Sequence, residues 1–228
     1  VDCPVGKKQA VLNLLLHYYQ PQRSLVFCNT KKMADEITAF LLEKGFEAEA
    51  LHGDLPQAQR TKVMNNFKQG KIAILVATDV AARGIDVNNI NYVINYDIPQ
   101  QAEYYVHRIG RTGRAGKDGK ALTLVCGRRQ MALFSDIVRL SKSSVTNISI
   151  PSLTQISAAN MAHRAALLDN MITEGNASMY SEIINTLKRQ GHNMEEIAAA
   201  ALKLAFGNSE LQLEEVKAGK MFDNRQQQ

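Results

Sequence analysis

Tryptophan is absent from this 228-residue chain, and aromatic residues make up only 6% of it. Cysteine is also scarce. Cys3, Cys28 and Cys126 are odd in number and far apart, which excludes a disulfide framework and any recognisable zinc-ligand spacing. Cys28 and Cys126 lie in apolar, strand-like runs and read as small core residues in a reducing compartment. The five histidines show no metal pattern, so no metal site is expected. No apolar run approaches the length of a membrane span. The start, Val1-Asp2-Cys3-Pro4, lacks the basic-then-apolar pattern of a signal peptide. A cytoplasmic protein without membrane attachment is therefore expected. An initiator methionine is missing as well, which suggests a piece of a longer protein.

What is present is unevenly charged. Residues 1–150 hold 20 Lys and Arg against 13 Asp and Glu, a net of +7. Residues 151–228 hold 7 against 9, a net of −2. A basic part joined to a mildly acidic one suggests that an anion, such as nucleic acid, is handled by the first part. The most informative segment of that part is His107-Arg-Ile-Gly-Arg-Thr-Gly-Arg-Ala-Gly116. Arg108, Arg111 and Arg114 recur every third position among Gly110, Gly113 and Gly116. Glycine lets the backbone approach a ligand, and the arginine fork matches phosphate oxygens. Taken alone, the segment also fits a solvated basic turn.

Strand and helix patterns alternate through residue 140, which predicts a parallel sheet with helices on both faces. Strands are expected at 24–28, 46–51, 71–77, 90–96 and 120–126, with helices at 31–44, 56–68, 101–109 and 129–140. Thr30 and Asp54 are plausible N-caps. After Pro151 only helices are expected, over 154–172, 178–189 and 193–206, with Asn193 and Glu196 spaced as a capping box. The expected organisation is an α/β domain at 1–150, a small all-α module at 151–208 and a polar tail at 209–228. In an open parallel sheet, ligands sit beyond the carboxyl ends of the strands. Asn29-Thr30-Lys31, His52-Gly53-Asp54 and Thr78-Asp79 fall at such ends. Asp79 is expected to be a helix cap or a partner for Arg60.

Several of these segments carry a resemblance. Leu75-Val-Ala-Thr-Asp-Val-Ala-Ala-Arg-Gly-Ile-Asp-Val87, Val93-Ile-Asn-Tyr-Asp97 and His107-Arg-Ile-Gly-Arg-Thr-Gly-Arg114 resemble motifs V, Va and VI of DEAD-box RNA helicases. Leu25-Val-Phe-Cys-Asn-Thr-Lys31 is similar to motif IV, and Gln57-Ala-Gln-Arg60 to the Gln-x-x-Arg motif. Tyr180-Ser-Glu-Ile-Ile-Asn-Thr-Leu187 and Glu196-Ile-Ala-Ala-Ala-Ala-Leu202 resemble the helical dimerisation module of bacterial cold-shock helicases of the DeaD/CshA kind. No Gly-x-x-x-x-Gly-Lys-Thr phosphate loop and no Asp-Glu-Ala-Asp occurs in the chain.

The resemblance implies a C-terminal RecA-like domain, working with an N-terminal RecA-like domain that binds most of ATP and Mg. It implies that Arg111 and Arg114 are arginine fingers and that Asp86 lies near the ribose and the attacking water. Thr30, Gly53, Arg60 and Thr78 would meet the RNA backbone. His107 and Arg108 would couple the two domains, with Arg83 as a possible buttress. RNA is thus the expected partner, bound without base stacking, since no aromatic platform is evident. A homodimer would centre on Ile183, Leu187, Ile197, Ala201 and Leu204; docking of the helices within the chain is the alternative. Two further readings stay open: an RNA-binding and dimerising fragment that needs no ATP, and a superfamily 2 helicase half acting on DNA.

Overall fold

A computed structural model describes residues 1–82, 87, 90–113, 119–175, 179–207 and 213–216. Arg83, Asp86 and Arg114, all named above, lie outside the described residues. The chain divides into two compact units, Val1–Ser152 with Glu215–Gln228, and Leu153–Glu214.

The first unit opens with β1 (Asp2–Cys3) and α1 (Lys8–Tyr19). It continues with β2 (Ser24–Phe27), α2 (Lys31–Glu43), β3 (Ala48–Leu51), α3 (Gln57–Lys68) and β4 (Ile74–Ala77). Then come α4 (Asp79–Ala82), β5 (Tyr92–Asn95), α5 (Ala102–Ile109), β6 (Lys120–Thr123), β7 (Val125–Cys126) and α6 (Gly127–Ser141). Five strands form a wholly parallel sheet in the order β3-β4-β2-β5-β6. The chain reverses direction across the sheet around β2, which puts the crevice at its carboxyl end.

Why the strands read as unbroken apolar runs is plain from burial. All four residues of β2 and all four of β4 are buried, so side chains on both faces are covered. One main cluster joins Leu25, Phe27, Leu75 and Val93 of the sheet to Val63 and Phe67 of α3. A second joins Tyr105 of α5 to Ile137 of α6.

Helix α1 has no counterpart among the sequence expectations. Its residues Val11 to Leu16 are buried in succession, so it carries no one-sided apolar stripe to reveal it. The expected strand over 120–126 is two strands: Leu124 separates β6, which pairs with β5, from β7, which pairs with β1. Asp54 caps nothing; Pro56 holds the N-cap position of α3, and Asp54 instead pairs with Lys31.

The second unit holds α7 (Leu153–Thr173), α8 (Ser181–Arg189) and α9 (Met194–Phe206). The capping box is formed: Glu196 N donates to Asn193 Oδ1 at 2.9 Å, and Asn193 N donates to Glu196 Oε2 at 3.1 Å. Within this unit the Arg164 guanidinium lies over the Phe206 ring at 4.8 Å.

Candidate functional site

The carboxyl ends of β2, β4 and β5 deliver Asn29, Thr78, Asp79 and Asp97 to one edge of the sheet. Arg108, from the last turn of α5, ties them together. Its Nε donates to Asp79 Oδ1 at 2.6 Å and its Nη2 to Asp79 Oδ2 at 2.7 Å. Nη2 also donates to Asn29 Oδ1 at 2.8 Å, and Nη1 to the Asp97 carbonyl at 2.6 Å. The guanidinium stacks 5.0 Å from the Phe27 ring centroid. Arg108 is only 1% exposed. A buried charge this well paired is costly to orphan, because the partner carboxylate would stay in a low-dielectric site.

One expectation is corrected by this arrangement. Asp79 does pair with an arginine, but with Arg108 and not with Arg60. Arg108 has its donors engaged inside its own domain. The third-position spacing hid this: Arg108 belongs to α5 and points inward, while Arg111 follows Gly110 beyond the helix end.

Arg111 and the exposed His107 line a small cavity of about 30 Å³ with Asp79, Tyr104 and Arg108. That is room for roughly one water. The turn beyond it is held by Thr112, whose hydroxyl donates to the Ile90 carbonyl at 2.5 Å. Gly113 has φ +68°, a left-handed conformation that favours glycine. Gly119 is required by contact: a Cβ there would lie 2.1 Å from Thr112 Oγ1.

Beside this edge lie the residues expected to meet a nucleic-acid backbone. Thr30 caps α2, its Oγ1 accepting from Met33 N at 3.1 Å, which leaves its hydroxyl hydrogen to donate elsewhere. Gly53 is exposed, and a Cβ there would make only ordinary contact with Lys31 Cε at 3.8 Å. Arg60 is half-buried, and its Nε is buried without a hydrogen-bond partner. His52 is buried, with Nε2 2.8 Å from Asp35 Oδ1.

The donor set can be tested against the nucleotide that the resemblance implies. The rim at Arg111 offers a guanidinium, an imidazole and a glycine-flanked backbone, which suits an anion. Among the described residues, no group of three His, Cys, Asp or Glu side chains could hold a metal ion.

Residues 6–116 match the helicase conserved C-terminal domain family, and residues 151–216 match the RNA helicase DeaD dimerization domain family. The chain belongs to the DEAD-box helicases. The ATP-dependent RNA helicase CshA of Listeria monocytogenes is 42% identical over 87% of this chain and 38% of that protein. A DEAD box protein from the hyperthermophile Methanococcus jannaschii shares 46% identity at a TM-score of 0.60, over 64% of this chain and 40% of that one. Saccharomyces cerevisiae Dbp5, solved bound to RNA and ADP BeF3, shares 34% identity at a TM-score of 0.61, over 64% and 40%. The chain spans about two fifths of the length of the curated relatives it matches. Its sheet is the RecA-like domain of this family. No described helix is long and apolar enough to cross a membrane.

The expected dimer residues are distributed unequally. Leu204 is 89% exposed and Ile183 59%, whereas Ile197 is 9% exposed. Ile197 is thus buried among its own neighbours in the chain. Leu187 is half-buried and Ala201 exposed. Exposed Met171, Ile172, Met179 and Tyr180 were not anticipated. For Met171 and Ile172 the signal was weak: α7 is apolar in patches without a clean helical period.

Proposed function

We propose that this chain is the C-terminal half of an ATP-dependent RNA helicase and that it completes a nucleotide site begun on a partner RecA-like domain. One observation carries the reading. Arg108 is locked inward against Asp79 and Asn29, so the turn after α5 presents Arg111 at the rim of the strand-end crevice. An arginine held there by a rigid anchor, without being that anchor, suits charge stabilisation during phosphoryl transfer. ATP with Mg, held mainly by the partner domain, would supply the phosphoryl chemistry. Arg111 and Arg114 would bind the oxygens that gain negative charge, and Asp86 would lie near the ribose and the attacking water. His107 would contact the partner domain, Arg83 would buttress the loop, and Arg108 would act by positioning.

RNA would lie along Thr30, Gly53, Arg60 and Thr78. A hydroxyl donor, an exposed backbone where nothing inside the domain demands glycine, and an unpaired guanidinium nitrogen are suited to sugar and phosphate. Such contacts read no base, so binding would be independent of sequence. Strand separation would follow if the closed domain pair bends one strand into a form a duplex cannot adopt. The helical module would join two copies through an isologous surface containing Ile183 and Leu204.

The test is RNA-stimulated ATP hydrolysis. With no phosphate loop in its sequence, this chain alone is expected to show none. Linked to a phosphate-loop-bearing RecA-like domain of a CshA relative, it should restore turnover. Turnover by the chain alone that survives Arg111→Ala and stringent purification would overturn the proposal.

A further inference from the structure

Cys3 and Cys126 stand far apart in sequence but face each other in a two-stranded sheet, β1-β7, separate from the five-stranded one. Cys28 follows β2, Cys126 ends β7 and Cys3 ends β1. β1 and β7 are parallel, and their register sets Cys3 directly opposite Cys126. Neighbouring strands lie about 4.8 Å apart, inside the Cα separation of roughly 4.4–6.8 Å that a disulfide spans. The Cys3 thiol donates to the Val1 carbonyl at 3.8 Å and the Cys126 thiol to the Pro4 carbonyl at 3.7 Å.

Their surroundings differ in kind. Cys3 is fully buried, while Cys126 is partly exposed. Cys126 occupies the N-cap position of α6, a 15-residue helix whose positive end favours a thiolate. The Lys8 ammonium acts on the same sulfur, and it is fixed by the Tyr96 carbonyl at 2.7 Å and Asp97 Oδ1 at 3.3 Å. Asp2 and Asp97 oppose it, yet the Cys126 thiol is held below its usual value, chiefly by the neighbouring Cys3. Cys28 is buried and pushed upward by desolvation.

We infer that Cys126 and Cys3 are a redox-active dithiol, with Cys126 the attacking and Cys3 the resolving sulfur, oxidised by hydrogen peroxide to a disulfide that staples β1 to β7. The Cys126 thiolate attacks one peroxide oxygen. The O–O bond breaks, hydroxide leaves and Cys126 becomes a sulfenic acid. The Cys3 sulfur then attacks the Cys126 sulfur. An S–S bond forms, the S–O bond breaks, and the departing hydroxide takes the Cys3 proton as water. Two thiols and one peroxide give one disulfide and two waters. The staple fastens the two-residue β1–β7 ladder, a sheet of its own, so it would hold the entry strand of the domain in place.

The test is a hydrogen peroxide titration of the 228-residue chain, followed by non-reducing peptide mapping. The expected product is 2 mass units lighter and carries a Cys3–Cys126 cross-link, with Cys28 alkylated only after unfolding. In the reduced chain at pH 7, iodoacetamide should label Cys126 at least about tenfold faster than Cys28, following its thiolate fraction. Cys3→Ser should leave a Cys126 sulfenic acid that dimedone traps, and Cys126→Ser should abolish the reaction. Sulfinic acid on Cys126 with Cys3 still free would overturn the inference. Equal labelling rates for Cys126 and Cys28 in the folded chain would do the same.

Discussion

Arg108 and Asp79 form a two-point ion pair, Nε to Oδ1 at 2.6 Å and Nη2 to Oδ2 at 2.7 Å, that fastens α5 to the exit of β4. Removing the guanidinium leaves Asp79 without its partner and also strands Asn29 Oδ1. Arg108→Ala should therefore cost about 3–5 kcal/mol of stability, and Arg108→Lys should recover little, because an ammonium cannot bond in the same fork. Arg111→Ala, at the rim, should stay within about 1 kcal/mol. Urea unfolding of the three variants checks this. Similar losses at positions 108 and 111 would contradict the division into anchor and presented arginine.

Arg60 carries a separate expectation. Its Nε is buried with no partner, as in a side chain shaped to meet an anion. Arg60→Ala should weaken RNA binding uniformly across sequences. It should also reduce the slope of log affinity against log salt by about 1. Fluorescence anisotropy over a potassium chloride series measures both. An unchanged slope would remove Arg60 from the phosphate contacts.

How much of this was legible beforehand differs residue by residue. The parallel sheet was readable because β2 and β4 are apolar along their whole length, which double-sided burial demands. The capping box at Asn193 was readable because it is a local contact. The anchoring of Arg108 was not readable, since the inward turn of α5 depends on Asp79 and Asn29, 29 and 79 residues away. The Cys3–Cys126 pairing was invisible for the same reason: strand register links distant segments, and no local pattern encodes it.

The helical unit yields a prediction about assembly. Ile183 and Leu204 are exposed, so neither supports the fold of its own helix pair. Ile183→Asp with Leu204→Asp should leave the thermal midpoint nearly unchanged and turn a dimer into a monomer in sedimentation velocity. Ile197→Asp should instead destabilise the chain, because it buries an unpaired charge. A wild-type chain that sediments as a monomer at tens of micromolar would contradict the dimer.

His17 supplies a pH dependence. It packs against Phe46 with ring centroids 4.9 Å apart, and burial lowers its pKa from 6.5. The unfolded chain therefore takes up the proton first as pH falls. His17 should erode stability as pH drops below 6.5, until the folded imidazole is itself protonated. His17→Phe should flatten that part of the stability profile, as read from urea midpoints between about pH 5 and 7. An identical slope in the variant would exclude His17 as its source.

The most direct test concerns Arg111 in a protein that carries both RecA-like domains. Single-turnover ATP hydrolysis with saturating RNA should fall by roughly 10³-fold or more in Arg111→Ala. RNA affinity and folding stability should stay near those of the parent. A hydrolysis rate within about threefold of the parent, with the fold intact, would contradict the claim that this domain lends its arginine to a nucleotide held by another.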